Sequence, residues 1–311
     1  MKILFADSAH PHLKGSLKLS GFTCDDLQET DLDSIKNVIF EYDGVVIRSK
    51  FKFDVAMISA AKNLKFIARV GAGMENIDVP YAQSKGIHCL HAPEGNRNAV
   101  AEHSMGLLLN LMNNMRKADI EVRSGQWIRE GNRGFELEGK TVGIIGFGNT
   151  GQALARKLKC FDVNILVNDP YVSSNDNHDI QLVDMHEIFA NADVISLHIP
   201  LTNETAQLVN KNWLSQFKKP IWLINTSRGK CLNTKDLLDA IDAGNVLGAG
   251  LDVLEFESLS FENLNASPEL IERLRNHPKL LLTPHIAGWT HESNLKLADV
   301  LFQKIMALKL Q

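Results

Sequence analysis

Val142-Gly143-Ile144-Ile145-Gly146-Phe147-Gly148-Asn149-Thr150-Gly151-Gln152-Ala153-Leu154 sets three glycines in a G-x-G-x-x-G pattern, directly after a strand-like apolar run and directly before a helical one. Gly146 permits a tight turn, Gly148 lets backbone approach a pyrophosphate, and Gly151 lets helix and strand pack closely. The helix that follows presents N–H groups to the anion. A second strand pattern ends at Asp169, eighteen residues past Gly151. A carboxylate there accepts the hydroxyls of an adenosine ribose and repels a 2′-phosphate, which favours NAD over NADP. The competing reading is a glycine-rich turn with a surface acid; strand, turn, helix, strand and acid in that order argue for the dinucleotide site.

Outward from this unit, short β-branched runs alternate with helical patterns along the whole chain, the signature of βαβ units and of parallel sheets buried on both faces. The fold class is α/β. Upstream, strands are expected near Ile3 to Ala6, Val45 to Arg48, Lys65 to Val70 and Ile87 to Leu90, with Val55 to Lys62 helical. From Ala99 to about Ser124 a single long helix is expected, with Leu107, Leu108, Leu111, Met112 and Met115 at helical spacing. Downstream, Val142 to Gly146, Asn164 to Asn168, Val194 to His198, Ile221 to Asn225, Ala249 to Val253 and Leu280 to Thr283 make six strands, enough for a full dinucleotide-binding sheet. Trp289 to Leu310 reads as one amphipathic helix with no strand after it, expected to rejoin the N-terminal unit. Ser173 to Asp179 is polar enough for an exposed loop.

A chain of 311 residues is long enough for about two domains of ordinary size. Hydrophobic residues at 44% and charged residues at 23% argue against disorder and against fibrous repeats. With 33 Lys+Arg against 37 Asp+Glu, a net charge of −4 does not suit a chain whose main task is neutralising nucleic acid or an anionic membrane. Cys24, Cys89, Cys160 and Cys231 are scattered without a C-x-x-C pair, which fits a reducing compartment better than a disulfide framework or a zinc site. No metal is expected. An acid at position 7 interrupts the N-terminal apolar run, and no apolar stretch approaches the roughly 18 residues of a membrane span, so a cytoplasmic protein without a leader or anchor is expected.

Three polar residues follow predicted strands at the edge where open α/β sheets bind ligands: Arg228, Glu257 and His285. Reduction of a 2-keto acid by hydride needs a proton for the carbonyl oxygen, a cation for the carboxylate, and a partner that keeps the proton donor charged. Histidine titrates near neutrality and a carboxylate neighbour favours its protonated form, while arginine grips a carboxylate as a fork. Taken singly, each has a plainer reading: a solvated loop charge, a surface acid, a residue leading into a helix.

Asn225-Thr226-Ser227-Arg228-Gly229, Gly250-Leu251-Asp252-Val253 and Thr283-Pro284-His285-Ile286-Ala287-Gly288 together resemble the D-isomer-specific 2-hydroxyacid dehydrogenases. Arg69-Val70-Gly71-Ala72-Gly73-Met74-Glu75-Asn76-Ile77-Asp78, Val100-Ala101-Glu102-His103 and Ser196-Leu197-His198-Ile199-Pro200-Leu201-Thr202 extend the resemblance over nearly the whole chain, in the family's order. The resemblance implies that Arg228 binds and polarises the substrate, that His285 is the acid/base and that Glu257 is its partner. It implies a Rossmann NAD-binding domain, 96–286, inserted in a flavodoxin-like substrate domain, 1–95 and 287–311. Asn149 and Thr150 would meet the pyrophosphate, Thr226, Ser227 and Asp252 the nicotinamide side, and His198, Pro200 and Gly288 would shape the cofactor cleft; local turn satisfaction is the alternative. Gly71, Ala72 and Gly73 form a small-residue loop whose N–H groups suit the substrate carboxylate. His103 is expected to make a structural hydrogen bond rather than to catalyse.

Within the family, Arg48-Ser49 and Gly125-Gln126-Trp127-Ile128-Arg129 look most like the D-3-phosphoglycerate dehydrogenases, a reading that places the chain in serine biosynthesis. Arg48, Ser49, Arg129 and Arg133 are then candidates for the far end of the substrate and its phosphate; for the last two, a solvated face or a dimer contact is equally open. The resemblance implies that the long helix with Trp127 near its end joins a homodimer, and C₂ association is also the commonest oligomer type; burial in a monomer would explain the apolar stripe equally well. Leu254 to Ser260 lacks the Glu-Pro that often closes its motif, and the chain is expected to have no C-terminal regulatory domain. Glyoxylate or hydroxypyruvate reduction is the enzymatic alternative. A non-catalytic NADH-sensing binding protein of the same fold is the alternative from another class.

Overall fold

Period-two alternation explains how both sheets of this chain are buried. The computed structural model describes residues 1–174, 179–257 and 267–310. The chain divides into two compact units, Met1–Arg97 with Trp289–Gln311, and Asn98–Gly288. In the first, β1 (Lys2–Phe5), β2 (Thr23–Asp26), β3 (Gly44–Ile47), β4 (Phe66–Arg69) and β5 (His88–His91) pair in the order β2-β1-β3-β4-β5, all parallel. That is the flavodoxin-like order. Leu4, Val45, Ile47 and Ile67 point to one face, where they meet α2 (Leu32–Val38), α3 (Val55–Ala60) and α4 (Val79–Ser84). Their neighbours Ile3, Phe5, Val46, Phe66 and Ala68 point to the other, against α1 (Pro11–Leu19) and the last helix of the chain. Aspartates cap the first turns of the short helices: Asp31, Asp54 and Asp78 each accept an N–H three residues on.

The second unit follows the same rule on a larger sheet. A long helix, α5 (Pro93–Met112), spans the division between the units and is followed by α6 (Met115–Arg123). Then come β6 (Thr141–Ile145), α7 (Asn149–Leu158), β7 (Asn164–Asn168), β8 (Ile180–Leu182), α8 (Met185–Asn191), β9 (Val194–Leu197), α9 (Lys211–Leu214), β10 (Ile221–Asn225), α10 (Thr234–Asp242), β11 (Val246–Leu251), α11 (Pro268–Asn276) and β12 (Leu280–Leu282). Among the described residues the strands form one parallel sheet, β12-β11-β10-β9-β6-β7-β8. Ile145, Ile195, Leu197 and Leu223 bury against α8 to α11, while Ile144, Val194, Trp222 and Ile224 bury against α5 and α7. The strand order runs outward in both directions from β6, so a topological switch point lies beside β6 and β9, where doubly wound sheets take ligands. The last helix, α12 (His291–Ala307), opens with a capping box between Thr290 and Ser293 and buries Leu297, Ala298, Leu301 and Ile305 in the first unit's core.

The α/β class and the paired parallel sheets are those read from the sequence, with three differences. Strands β2 and β8 were not expected. Both are sheet edges, and Thr23-Cys24-Asp25-Asp26 carries too much polarity to read as a run, while β8 has three residues. The expected helix over Ala99 to Ser124 is two helices: it begins at Pro93 and breaks at Asn114, which takes a left-handed φ of 53° that asparagine tolerates. Met115 therefore leaves the buried stripe and is exposed. Trp127 lies beyond α6, not on it, and is 80% exposed. Of the expected polar loop, residues 175–178 lie outside the described residues, as do Ser258 to Ser260 of the motif after β11. No helix among the described residues is long and apolar enough to cross a membrane, and these residues include no cluster that would hold a metal ion.

Candidate active site

Strands β10, β11 and β12 end level with one another, because Asn225 pairs with Leu251 and Leu251 with Leu282. At about 4.8 Å between strands, the loops that follow leave the same edge within about 10 Å. Those loops carry Arg228, Asp252, Glu257 and His285. The imidazole Nδ1 of His285 lies 2.7 Å from Glu257 Oε2, and both side chains are largely buried, 22% and 13% exposed. The second Glu257 oxygen accepts the Leu254 N–H. A proton on Nδ1 is thereby committed to the carboxylate.

His285 has a left-handed φ of 57°, a conformation that costs a non-glycine residue about 1–3 kcal/mol unless its surroundings impose it. The surroundings do. The His285 N–H donates to Asp252 O at 2.7 Å, and the next two amides, of Ile286 and Ala287, donate to the two Asp252 carboxylate oxygens at 2.8 Å each. Asp252 is 1% exposed, so its charge is spent on the loop that carries the histidine. On the neighbouring strand, fully buried Asn225 shapes the turn before Arg228: its Oδ1 accepts Ser227 N–H and Oγ–H at 3.0 and 2.8 Å, and its Nδ2 donates to Arg228 O at 3.2 Å. Arg228 Nη1 donates to Ser227 O at 2.7 Å.

The glycine loop fits a dinucleotide by the space it leaves. Gly146 has φ +92°, and a Cβ there would lie 2.5 Å from His198 O; one at Gly151 would lie 2.2 Å from Gly146 O. At Gly148, by contrast, a Cβ would meet no atom within 4 Å, so this is where backbone stays open to a ligand at the start of α7. Asn149 and Thr150 form the first turn of α7. Asp169, one residue past β7, is drawn to this loop by the Phe147 N–H at 2.6 Å and also accepts the Tyr171 N–H at 2.9 Å. His198 is buried with Nε2 on Ser196 Oγ at 2.8 Å and Nδ1 on Thr150 Oγ1 at 3.1 Å, and burial pushes it down to about 4. It stays neutral at physiological pH. Pro200 accepts the Thr205 hydroxyl through its carbonyl, which fixes the turn after β9.

In the first unit, Asp7 leaves β1 one residue beyond Ala6 and its Oδ2 gathers the N–H groups of Arg48, Ser49 and Lys50 at 2.8–3.0 Å. The Arg48 guanidinium stacks over the Trp289 ring at 3.9 Å. Burial pushes Arg48 down from its ordinary value, against the opposing pull of Asp7. Arg69 lies against Gly71 and, with Asn76, donates to Arg48 O; Ala72 O meets His91 Nδ1 at 2.6 Å. Gly73 is half-buried in the same loop. Arg129 and Arg133 lie in the exposed segment after α6, and Arg133 forks onto Glu130 at 2.8 and 2.9 Å.

Residues 105–287 match the model for the D-isomer specific 2-hydroxyacid dehydrogenase, NAD binding domain. The chain is 35% identical to D-3-phosphoglycerate dehydrogenase of Archaeoglobus fulgidus over 98% of its own length, and 35% identical to hydroxypyruvate reductase of Thermotoga maritima over 89%. The chain belongs to the D-isomer-specific 2-hydroxyacid dehydrogenase family. It spans 57% of the A. fulgidus member and 88% of the T. maritima one. A family structure, the Aquifex aeolicus D-lactate dehydrogenase complexed with NAD and lactic acid, superposes with a TM-score of 0.85 at 26% identity, over 99% of this chain and 95% of that one. Three residues of this member have no assignment from sequence: Asp7, Ser104 and Trp289. Asp7 had a usable signal, a carboxylate just past a strand at the C-terminal edge of the first unit's sheet; Ser104 and Trp289 had none, since their partners are distant in the chain.

Proposed function

We propose that this chain interconverts a D-2-hydroxy acid and its 2-keto acid with NAD(H), and that its substrate is 3-phosphoglycerate/3-phosphohydroxypyruvate. The observation that carries the reaction is the His285–Glu257 pair, 2.7 Å apart on the sheet edge that also carries Arg228. Gly146, Gly148, Asn149, Thr150, Gly151 and Asp169 would hold NADH, which when bound would supply the hydride. Arg228 grips the substrate carboxylate and polarises the carbonyl beside it. As the carbonyl carbon is reduced, His285 Nε2 gives its proton to the oxygen, while Nδ1–H stays on Glu257, which holds the ring in place. In the oxidation direction the same nitrogen takes the hydroxyl proton.

A phosphorylated substrate is supported by Arg48. Its guanidinium is partly buried and aligned by Trp289, and among the described residues no carboxylate forms an ion pair with it, so an anionic group would gain a fork already desolvated. Arg133 favours the second reading, hydroxypyruvate or glyoxylate reduction, because its fork is occupied by Glu130. The exposed apolar side chains Ile120, Val122, Trp127 and Phe135 support a homodimer contact, and the free cysteines support a cytoplasmic setting. The test is NADH consumption with 3-phosphohydroxypyruvate, hydroxypyruvate, glyoxylate, pyruvate and 2-ketoglutarate at matched concentrations. Preference for the phosphorylated acid is expected. Preference for an unphosphorylated one moves the chain to the second reading, and NADH binding with no turnover of any acid makes it a sensor.

A further inference from the structure

His103 and Ser104 are adjacent on α5, and each reaches one of the two loops that carry the proposed chemistry. His103 Nε2 lies 2.9 Å from Thr283 Oγ1 and 3.5 Å from Asp252 Oδ1. Ser104, 1% exposed, lies 2.9 Å from Thr226 Oγ1. The direction of every proton in this network follows from counting donors. The Asp252 carboxylate only accepts, so the single Thr283 hydroxyl proton goes to Asp252 Oδ1 at 2.6 Å. Thr283 can then only accept from His103, so Nε2 carries a proton. The Ser104 hydroxyl is committed to Val100 O at 2.8 Å, so Thr226 donates to Ser104.

We propose that His103 and Ser104 form a brace that sets His285 and Arg228 relative to each other, with both residues acting as positioning residues. This rests on the reading of His285 as the acid and Arg228 as the carboxylate holder. On one side the brace runs from His103 through Thr283 to Asp252, whose oxygens fix the amides of Ile286 and Ala287 and so impose the left-handed backbone of His285. On the other it runs from Ser104 to Thr226, two residues before Arg228, next to the turn that Asn225 shapes. A helix is stiff along its axis, so two side chains on consecutive residues tie the two loops to one rigid reference. A hydrogen-bonded network of this kind, with Ser104 and Asp252 buried and His103 partly so, holds groups to the tolerance that proton and hydride transfer require.

The test compares His103→Leu, which removes the donor, with His103→Gln, whose side-chain N–H reaches to about the same place. Amide hydrogen exchange of the NADH-free protein is read residue by residue, and kcat and KM are read with whichever of the five acids turns over. In His103→Leu the amides of Ile286 and Ala287 are expected to exchange about tenfold faster or more while the strands of the sheet keep their protection. Its kcat should fall about tenfold to a hundredfold with a smaller change in KM, and His103→Gln should restore most of both. Ser104→Ala should speed exchange at Ser227 and raise KM, leaving Ile286 and Ala287 as they were. Unchanged exchange at Ile286 and Ala287 in His103→Leu, equal damage from Leu and Gln, or loosening spread over the whole unit overturns the brace. Because exchange is read without substrate, a chain that proves to be a sensor still tests it.

Discussion

His198 makes the folded protein sensitive to acid in a way that can be isolated. The ring is 8% exposed, bonded at both nitrogens to hydroxyls, and burial holds it at about 4, against 6.5 for an ordinary histidine. In the unfolded chain the same ring takes up its proton near 6.5. Between those values the unfolded state therefore binds more protons than the folded one, and stability rises with pH. The contribution is fully present above 6.5 and is lost as pH falls toward 4. At about 1.4 kcal/mol per factor of ten, the step from pH 7 to pH 5 costs about 2 kcal/mol, or roughly a 25-fold rise in the unfolding constant. Other groups titrate over the same range, so the quantity of interest is the difference between the protein and its His198→Gln variant, in which this contribution is gone. Urea unfolding followed by tryptophan fluorescence suits the purpose, since Trp213 and Trp222 are buried in the cofactor unit whereas Trp127 and Trp289 are exposed. The wild type should lose about 2 kcal/mol more than the variant between the two pH values. A difference below about 0.5 kcal/mol would refute the reasoning, because it would mean that the folded protein accepts the proton as readily as the unfolded chain.

His285→Ala should cut kcat roughly 100-fold or more with NADH affinity nearly unchanged by fluorescence titration; retained turnover removes it from the mechanism. Glu257→Gln exchanges a charge-assisted hydrogen bond for a neutral one and sets an amide N–H against the Leu254 N–H if its oxygen faces His285, a loss of about 1–2 kcal/mol or more, read as a 5- to 30-fold fall in kcat/KM. Asp169→Ala should loosen NADH and narrow the preference over NADPH, and equal affinities before and after would sink the assignment. Gly148→Ala, where no atom lies within 4 Å, should fold normally yet bind NADH at least about tenfold more weakly, whereas Gly151→Ala should lose about 1–3 kcal/mol of stability against Gly146 O in the same unfolding assay.

The local sequence determined the interior strands, since runs such as Ile221 to Ile224 are buried on both faces and need apolar residues at every position, and it determined the glycine turn between β6 and α7, since only glycine meets the demands at 146 and 151. It also placed Arg228, Glu257 and His285 in the loops that follow β10, β11 and β12, because loops after parallel strands leave the sheet by one edge. Edge strands β2 and β8 escaped because one flank faces no partner strand, which relaxes the demand for an apolar run. The break at Asn114 escaped because a polar residue that tolerates left-handed backbone looks, in sequence, like any other surface position. What tertiary structure alone decided is how polar groups far apart in the chain satisfy one another. Asp252 turns its buried charge on the amides 34 and 35 residues on, His103 reaches Thr283 across 180 residues, and Arg48 finds its stacking partner in Trp289 at the far end of the chain. Hydrogen bonds are short-ranged and directional, so no periodicity announces their partners; they exist only once the sheets have brought the loops together.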